Sequence, residues 1–273
     1  MNSVDFAYNT RCLTLKMINR AKASHVGGAL SMADIVAVLY TSILKIDPDQ
    51  PYWFERDRLI LSKGHSCTAI YAALALKGFF PVAELETYAQ DGSRLMSHIS
   101  HKVPGVEFST GSLGHGLPFG VGKALAAKRL GLKWQTYVIV SDGELDEGSN
   151  WEAILFAPQY FLDNLVLIVD YNKIQSLGTI EEVISLGDLA AKFRAFRWDV
   201  QEIDGHDHGA LKAVLSLPRT TGVPRVVLAH TVKGKGVSFM ENQLLWHYRN
   251  PDDDQLAMAM KELQESFSRK KEN

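Results

Sequence analysis

The chain has 273 residues, with 31 acidic and 29 basic side chains, a formal net charge of −2 and 46% hydrophobic residues. This balance is ordinary for a globular protein with a substantial core, as one large or two small domains, and excludes a general nucleic-acid or membrane-surface binder. No apolar run approaches the ~20 residues that span a bilayer, no basic flank and apolar core open the chain, and Cys12 and Cys67 read as reduced structural thiols, so a cytoplasmic protein is expected.

In chain order, residues 4–22 have helical spacing of apolar positions. Residues 31–44 read as a second helix, with Ser31 as N-cap and Asp34 three residues on; Asp47-Pro48-Asp49 ends it. Residues 58–62 form a short strand that turns through Lys63-Gly64-His65 into a helix over 67–77. Residues 81–90 read as helical. Residues 91–118 are rich in Gly, Ser, His and Pro and too long for an ordinary connection, which favours a functional loop. Residues 119–130 are a small-residue helix suited to close packing on a sheet. Tyr137–Ser141, Leu165–Asp170 and Arg225–Ala229 are aliphatic runs of the kind found in a parallel sheet buried on both faces, with helices over 151–162 and 207–217 between them. The alternation predicts a doubly wound α/β fold with a mostly parallel sheet and helices on both faces. Residues 1–250 are assigned to that domain and 251–273 to a charged tail, helical or frayed.

The chemistry concentrates between Val138 and Asn172. Asp142 and Asn172 each follow a predicted strand, and one helical crossover joins the two strands. In open parallel sheets ligands bind beyond the C-terminal strand ends. Mg2+ is held by a few protein oxygens plus substrate phosphates. A carboxylate from Asp142, an amide oxygen from Asn172 and the Ile174 carbonyl suit that role, with Ca2+ or Mn2+ as substitutes. Gly143 lets the backbone approach a phosphate. Alone, Asp142-Gly143 would be a turn and Asn172 a cap; together, at two strand ends, they read as a metal–diphosphate site. The spacing of Gly114, Gly116 and Gly120 imitates a dinucleotide fingerprint but follows no strand and has no acidic partner.

The stretch resembles the metal–diphosphate motif of thiamine diphosphate enzymes, with Ser141 in place of the first glycine. Other segments narrow the resemblance to the transketolase family. They are Ser24-His25-Val26-Gly27-Gly28, Ser62-Lys63-Gly64-His65, Ser93-Arg94 with His98 and Pro104 to Glu107, Gly111 to Gly116, and Lys233 to Gly236 with Trp246-His247. They run in the family's order over nearly the whole chain.

The resemblance implies a thiamine diphosphate-binding fold of the diphosphate-binding type. It counts Gly28, His65, Gly111, Ser112, Leu113, Gly143, Glu144, Asn172, Ile174, Lys233 and His247 among cofactor contacts, and His25, His98 and His247 as catalytic. The sequence around His98 departs from the family pattern, which leaves His98 and His101 as alternatives. His101, His208 and His230 read as solvated or capping residues. The cluster of Glu144, Asp146 and Glu147 reads as a solvated loop rather than a metal site, with Glu147 and Glu152 implied to lie at a subunit interface.

A full-length transketolase carries a second domain with the glutamate that activates the cofactor. The sequence stops near where that domain would begin. The resemblance therefore implies the N-terminal subunit of a split transketolase, working with a C-terminal, pyrimidine-binding subunit in an α2β2 heterotetramer. The expected reaction is transfer of a two-carbon ketol unit from a ketose phosphate to an aldose phosphate. The alternatives are an α-subunit-like component of a 2-oxoacid dehydrogenase and a non-catalytic cofactor-binding subunit.

Overall fold

In the computed structural model, which describes residues 1–272 and the side chains of residues 1–269, five strands form one parallel sheet in the order β1-β2-β3-β5-β4. The strands are β1 (Arg58–Leu61), β2 (Thr136–Ser141), β3 (Leu165–Tyr171), β4 (Asp199–Asp204) and β5 (Arg225–His230). Side chains alternate between the two faces. Tyr137, Ile139, Val166, Ile168, Val227 and Ala229 enter one core. Val138, Val140, Leu165, Leu167, Val169, Val226 and Leu228 enter the other. Burial on both faces is why β2, β3 and β5 read as unbroken aliphatic runs.

The first core is closed by α1 (Ser3–Ala21), α2 (Val26–Ser31), α3 (Ala33–Val38), α4 (Cys67–Lys77) and, further along the chain, α9 (His208–Ser216). The second is closed by α5 (Gly116–Arg129), α6 (Gly148–Gln159) and α8 (Leu189–Ala195), the last preceded by the short α7 (Ile180–Val183). The moves from β2 to β3 and from β3 to β4 run one way across the sheet, and their helices share a face. The return from β4 to β5 runs the other way, and α9 lies on the opposite face, as right-handed crossovers require. Close packing of α5 depends on Gly120, where a Cβ would come within 2.4 Å of the Val138 side chain.

The helix expected over 31–44 is instead α2 and α3, broken at Met32 and finished by a π-helical turn over Leu39–Ile43. Ser31 is not an N-cap. It ends α2 and donates its hydroxyl to Gly28 O and to Asp170. Within 81–90 the helix is limited to a 3-10 segment over Val82–Thr87. β4 has no counterpart among the expected strands; it is a half-exposed edge strand, DVQEID. α10 (Asp253–Glu272) buries Ala259 and Leu263 in a third cluster with Leu15 and Ile18 of α1. Among the described residues no helix is long and apolar enough to cross a membrane.

Candidate functional site

Because every pairing is parallel, the strands deliver their C-terminal ends to one edge. Ser141 pairs with Asp170, and Tyr171 with His230. The residues just beyond line a single cavity: Asp142 and Gly143 after β2, Asn172, Ile174, Gln175 and Ser176 after β3, and Lys233 after β5. His25, Gly28, Lys63, His65, Leu113 and His247 complete the wall.

Asp142 is 1% exposed. Its Oδ1 accepts from Gly143 N–H at 2.8 Å and its Oδ2 from Lys173 N–H. Among the described residues no ion pair involves it. Burial, reinforced by the charge of Asp170, pushes its carboxyl up to about 6. The Asn172 amide orientation is set by its contacts. Nδ2 donates to Asp170 Oδ2 at 3.3 Å, and Oδ1 accepts from Ile174 N–H at 3.2 Å. A buried carboxylate without a cationic partner, an amide oxygen and the Ile174 carbonyl form an all-oxygen donor set. That set fits a hard divalent cation whose remaining positions are filled by a ligand's oxygens and water. Among the described residues there is no cluster of three or more His, Cys, Asp or Glu suited to a metal, so a cation here would depend on oxygens brought by its ligand. Gly143 allows the crowding, since a Cβ there would lie 2.8 Å from Gln175 Cγ.

Above this end stand four imidazoles. The His25 ring centre lies 4.9 Å from His65, 5.1 Å from His247 and 6.0 Å from His98. Burial first, then the neighbouring histidines and lysines, lowers His25 to about 4 and His247 to about 3, and holds His65 well below the usual histidine range. Burial also lowers His98. Neutral imidazoles each offer one donor and one acceptor, which suits a ligand bearing many hydroxyls. His25 is held at φ 74, and its N–H donates to His247 O at 2.9 Å, which ties the two histidine-bearing loops together.

Two lysines supply positive charge. Lys233 donates to Ile174 O at 2.8 Å, to Gln175 O at 3.3 Å and to His247 Nδ1 at 3.0 Å. An ammonium has no acceptor, so Nδ1 of His247 is bare and its proton sits on Nε2. Burial, with Lys63 nearby, lowers Lys233 to about 8. Lys63 donates to Gly28 O at 3.1 Å and pairs with Asp170 at 2.5 Å. Asp170, fully buried, also accepts from Ser31 and Thr231. Behind the cavity, Glu144 accepts from Ser62 and from Gly114 N–H, while its Oε2 has no partner among the described residues. Burial raises its carboxyl.

Of the residues singled out from sequence, His25, Gly28, His65, Leu113, Asp142, Gly143, Asn172, Ile174, Lys233 and His247 all reach the cavity. His98 joins through His25, whereas His101 is exposed and bonded to Ser109. Gly111 and Ser112 are exposed beside Leu113. Glu144 lies outside the cavity wall and braces the Gly114 turn. Among the residues read as solvated or capping, His230 is 40% exposed at its side chain, against Glu202, but His208 is drawn into a buried cluster with Asp34. Lys63 and Asp170 were not singled out. Lys63 sits inside the quoted Ser62–His65 motif, and an unbroken aliphatic run ending in Asp is the only sequence sign of Asp170.

A family described as "Transketolase, thiamine diphosphate binding domain" matches residues 3–268. The chain is 45% identical over 256 residues to the 6-deoxy-6-sulfo-D-fructose transketolase subunit SqwG of Clostridium sp. (strain MSTE9), covering 93% of each. It is 42% identical over 261 residues to an apulose-4-phosphate transketolase subunit of Phocaeicola vulgatus, covering 95% of this chain and 93% of that one. Among solved structures, transketolase from Campylobacter jejuni superposes with a TM-score of 0.91 at 30% identity. The match covers 97% of this chain but 43% of the Campylobacter chain.

Proposed function

We infer the work of this cavity from one premise: the chain belongs to the transketolase family, as its thiamine diphosphate-binding domain. It is the N-terminal subunit type of a split transketolase, a transferase component; relatives that it matches over nearly their whole length carry subunit names. The 2-oxoacid dehydrogenase reading is not favoured by these matches.

The observation that carries the residue assignments is the meeting of Asp142 and Asn172 at adjacent strand ends, in one cavity with three imidazoles and two lysines, and with a fourth imidazole, His98, against His25. We assign Asp142, Asn172 and the Ile174 carbonyl to Mg2+, with Ca2+ or Mn2+ as substitutes. Gly143, His65, Lys233 and His247 take the diphosphate, and Gly28 and Leu113 the walls around it. Gly111 and Ser112 continue the rim beyond Leu113. Glu144 acts at one remove, by holding Gly114. Bound thiamine diphosphate supplies the nucleophile and electron sink for moving a two-carbon ketol unit. His25, His98 and His247 orient the sugar hydroxyls and hold or pass their protons, being neutral and able to do either.

A pyrimidine-binding partner subunit would supply the activating carboxylate, in an α2β2 assembly with two sites. The groove between α5 and α6, lined by Pro118, Val121, Leu125, Phe156 and Glu152, together with exposed Glu147 just before α6, is the surface assigned to that partner. By name, one relative handles a 6-sulfo sugar and another a sugar 4-phosphate; sugar phosphates are the substrate class proposed here, and the cytoplasm the setting. The test is reconstitution of the chain with its partner, thiamine diphosphate and Mg2+. Ketol transfer that needs both chains supports the reading, and full-rate transfer without the partner sinks the split site.

A further inference from the structure

Away from the cofactor cavity, a second buried polar cluster joins α1, α3 and the loops that follow β4 and β5. Its centre is Asp34, which accepts from Arg11 Nη1 at 2.9 Å and Nη2 at 2.6 Å, from His206 Nδ1 at 2.7 Å and from His208 Nε2 at 3.0 Å. The remaining nitrogens are paired as well. His208 Nδ1 meets Ser3 Oγ at 2.8 Å, Arg11 Nε donates to Lys235 O at 3.1 Å, and His206 Nε2 accepts from Val232 N–H at 2.8 Å. A fully paired buried network rigidifies whatever it touches.

The contacts fix the tautomer of His206. Its Nε2 accepts an amide hydrogen and so carries none, which leaves Nδ1 as the donor to Asp34. Two of the bonds leaving the network grip the β5 exit loop on either side of Lys233, at Val232 before it and Lys235 after it. Between them Gly234 N–H donates to Gly27 O at 2.9 Å. Gly236 takes φ +98, and a Cβ there would meet Leu263 Cδ2 at 2.9 Å and Arg11 Cδ at 3.4 Å. The backbone on both sides of Lys233 is therefore held from outside the cavity.

We propose that His206 is a positioning residue which, oriented by Asp34 and assisted by Arg11, sets the Lys233 ammonium against the diphosphate. This rests on the reading of Lys233 as a diphosphate ligand. The probe is magnesium diphosphate, titrated calorimetrically into the full chain as wild type, K233M, H206L, H206Q and H206L/K233M. K233M is expected to weaken binding. H206L should weaken it about tenfold, the scale seen when an outer-shell partner is lost, and should add nothing in the K233M background. H206Q keeps an acceptor for Val232 and a donor for Asp34, and should recover most of the affinity.

If the H206L loss repeats in full on K233M, or H206Q binds as poorly as H206L, the effect is general loosening and the positioning role is overturned. If K233M weakens binding and H206L does not, the positioning role alone fails. Unchanged binding by K233M removes the Lys233 reading and this inference with it. Should H206L fail to fold, ring-nitrogen NMR of the wild-type chain decides the matter. A bare Nε2 with a protonated Nδ1 on His206 supports the proposal, and a protonated Nε2 overturns it.

Discussion

Lys63 and Asp170 form an ion pair at 2.5 Å with 1% and 0% of their side chains exposed. The pair joins the β1 exit to the end of β3, directly beneath the cavity. Removing one partner of such a pair leaves a buried charge without compensation, at a cost of about 3–5 kcal/mol. D170N should therefore lower the urea-unfolding free energy of the full chain by about that amount. K63M/D170L, which removes both charges, should lose less. A D170N loss below about 1 kcal/mol would show that the pair does not hold these segments together.

The pair marks the boundary of what the chain's sequence makes legible. Asp142 and Asn172 are readable because each follows an aliphatic run long enough to identify a strand buried on both faces. β4 is not, because an edge strand with three acidic residues in six carries no core signal. Ser31 sits where an N-cap is expected and instead serves Asp170, a residue 139 positions away. Contacts of that kind depend on how the strands are ordered, and no local pattern encodes them. The choice between His98 and His101 is of the same type. Their spacing is equivalent in sequence, and only the fold of 91–115 carries one ring to His25 and the other to Ser109.

Asp142 is the single charged protein group assigned to the metal. D142A should abolish metal-dependent binding of thiamine diphosphate in calorimetry while leaving the fold in place, because its side chain accepts only the backbone amides of Gly143 and Lys173. Unchanged cofactor affinity in D142A would refute the metal assignment.

The pH dependence of that site follows from the raised Asp142 carboxyl, at about 6 against an ordinary 3.8. Between these values the folded chain holds a proton that the unfolded chain has released. This group's contribution to stability is therefore present below 3.8 and is lost as pH rises through about 6. The histidines act in the opposite sense. His25 near 4 and His247 near 3 stay neutral where the unfolded chain is protonated, so their contribution is complete above 6.5 and lost as pH falls toward those values. A cation needs the carboxylate, so Mg2+ affinity should fall about tenfold per pH unit below about 6, with release of one proton on binding. Calorimetry in buffers of different ionisation enthalpy measures that proton directly; no proton release near pH 5 would contradict the raised value.

His98 and His101 separate cleanly by mutation. H98A should raise KM or lower kcat in ketol transfer by about tenfold or more, as loss of a substrate-binding or proton-passing imidazole does. H101A should leave both constants within about twofold, since its ring lies outside the cavity and surface changes have small effects. Equal sensitivity of the two variants would mean that the 91–115 loop is placed differently during turnover.

His247 tests whether the imidazole cluster works in catalysis rather than in folding. Its ring accepts from Lys233 and faces His25 and His65, while the link between the two loops runs through its backbone carbonyl, which an alanine retains. H247A should therefore shift the melting temperature by only a few degrees and lower kcat by about 10²–10⁴, the range for loss of a group that moves protons. Its loss also strips one acceptor from Lys233, so thiamine diphosphate affinity should weaken together with kcat. A variant that melts far below the wild type but keeps its kcat when folded would assign the ring to structure alone.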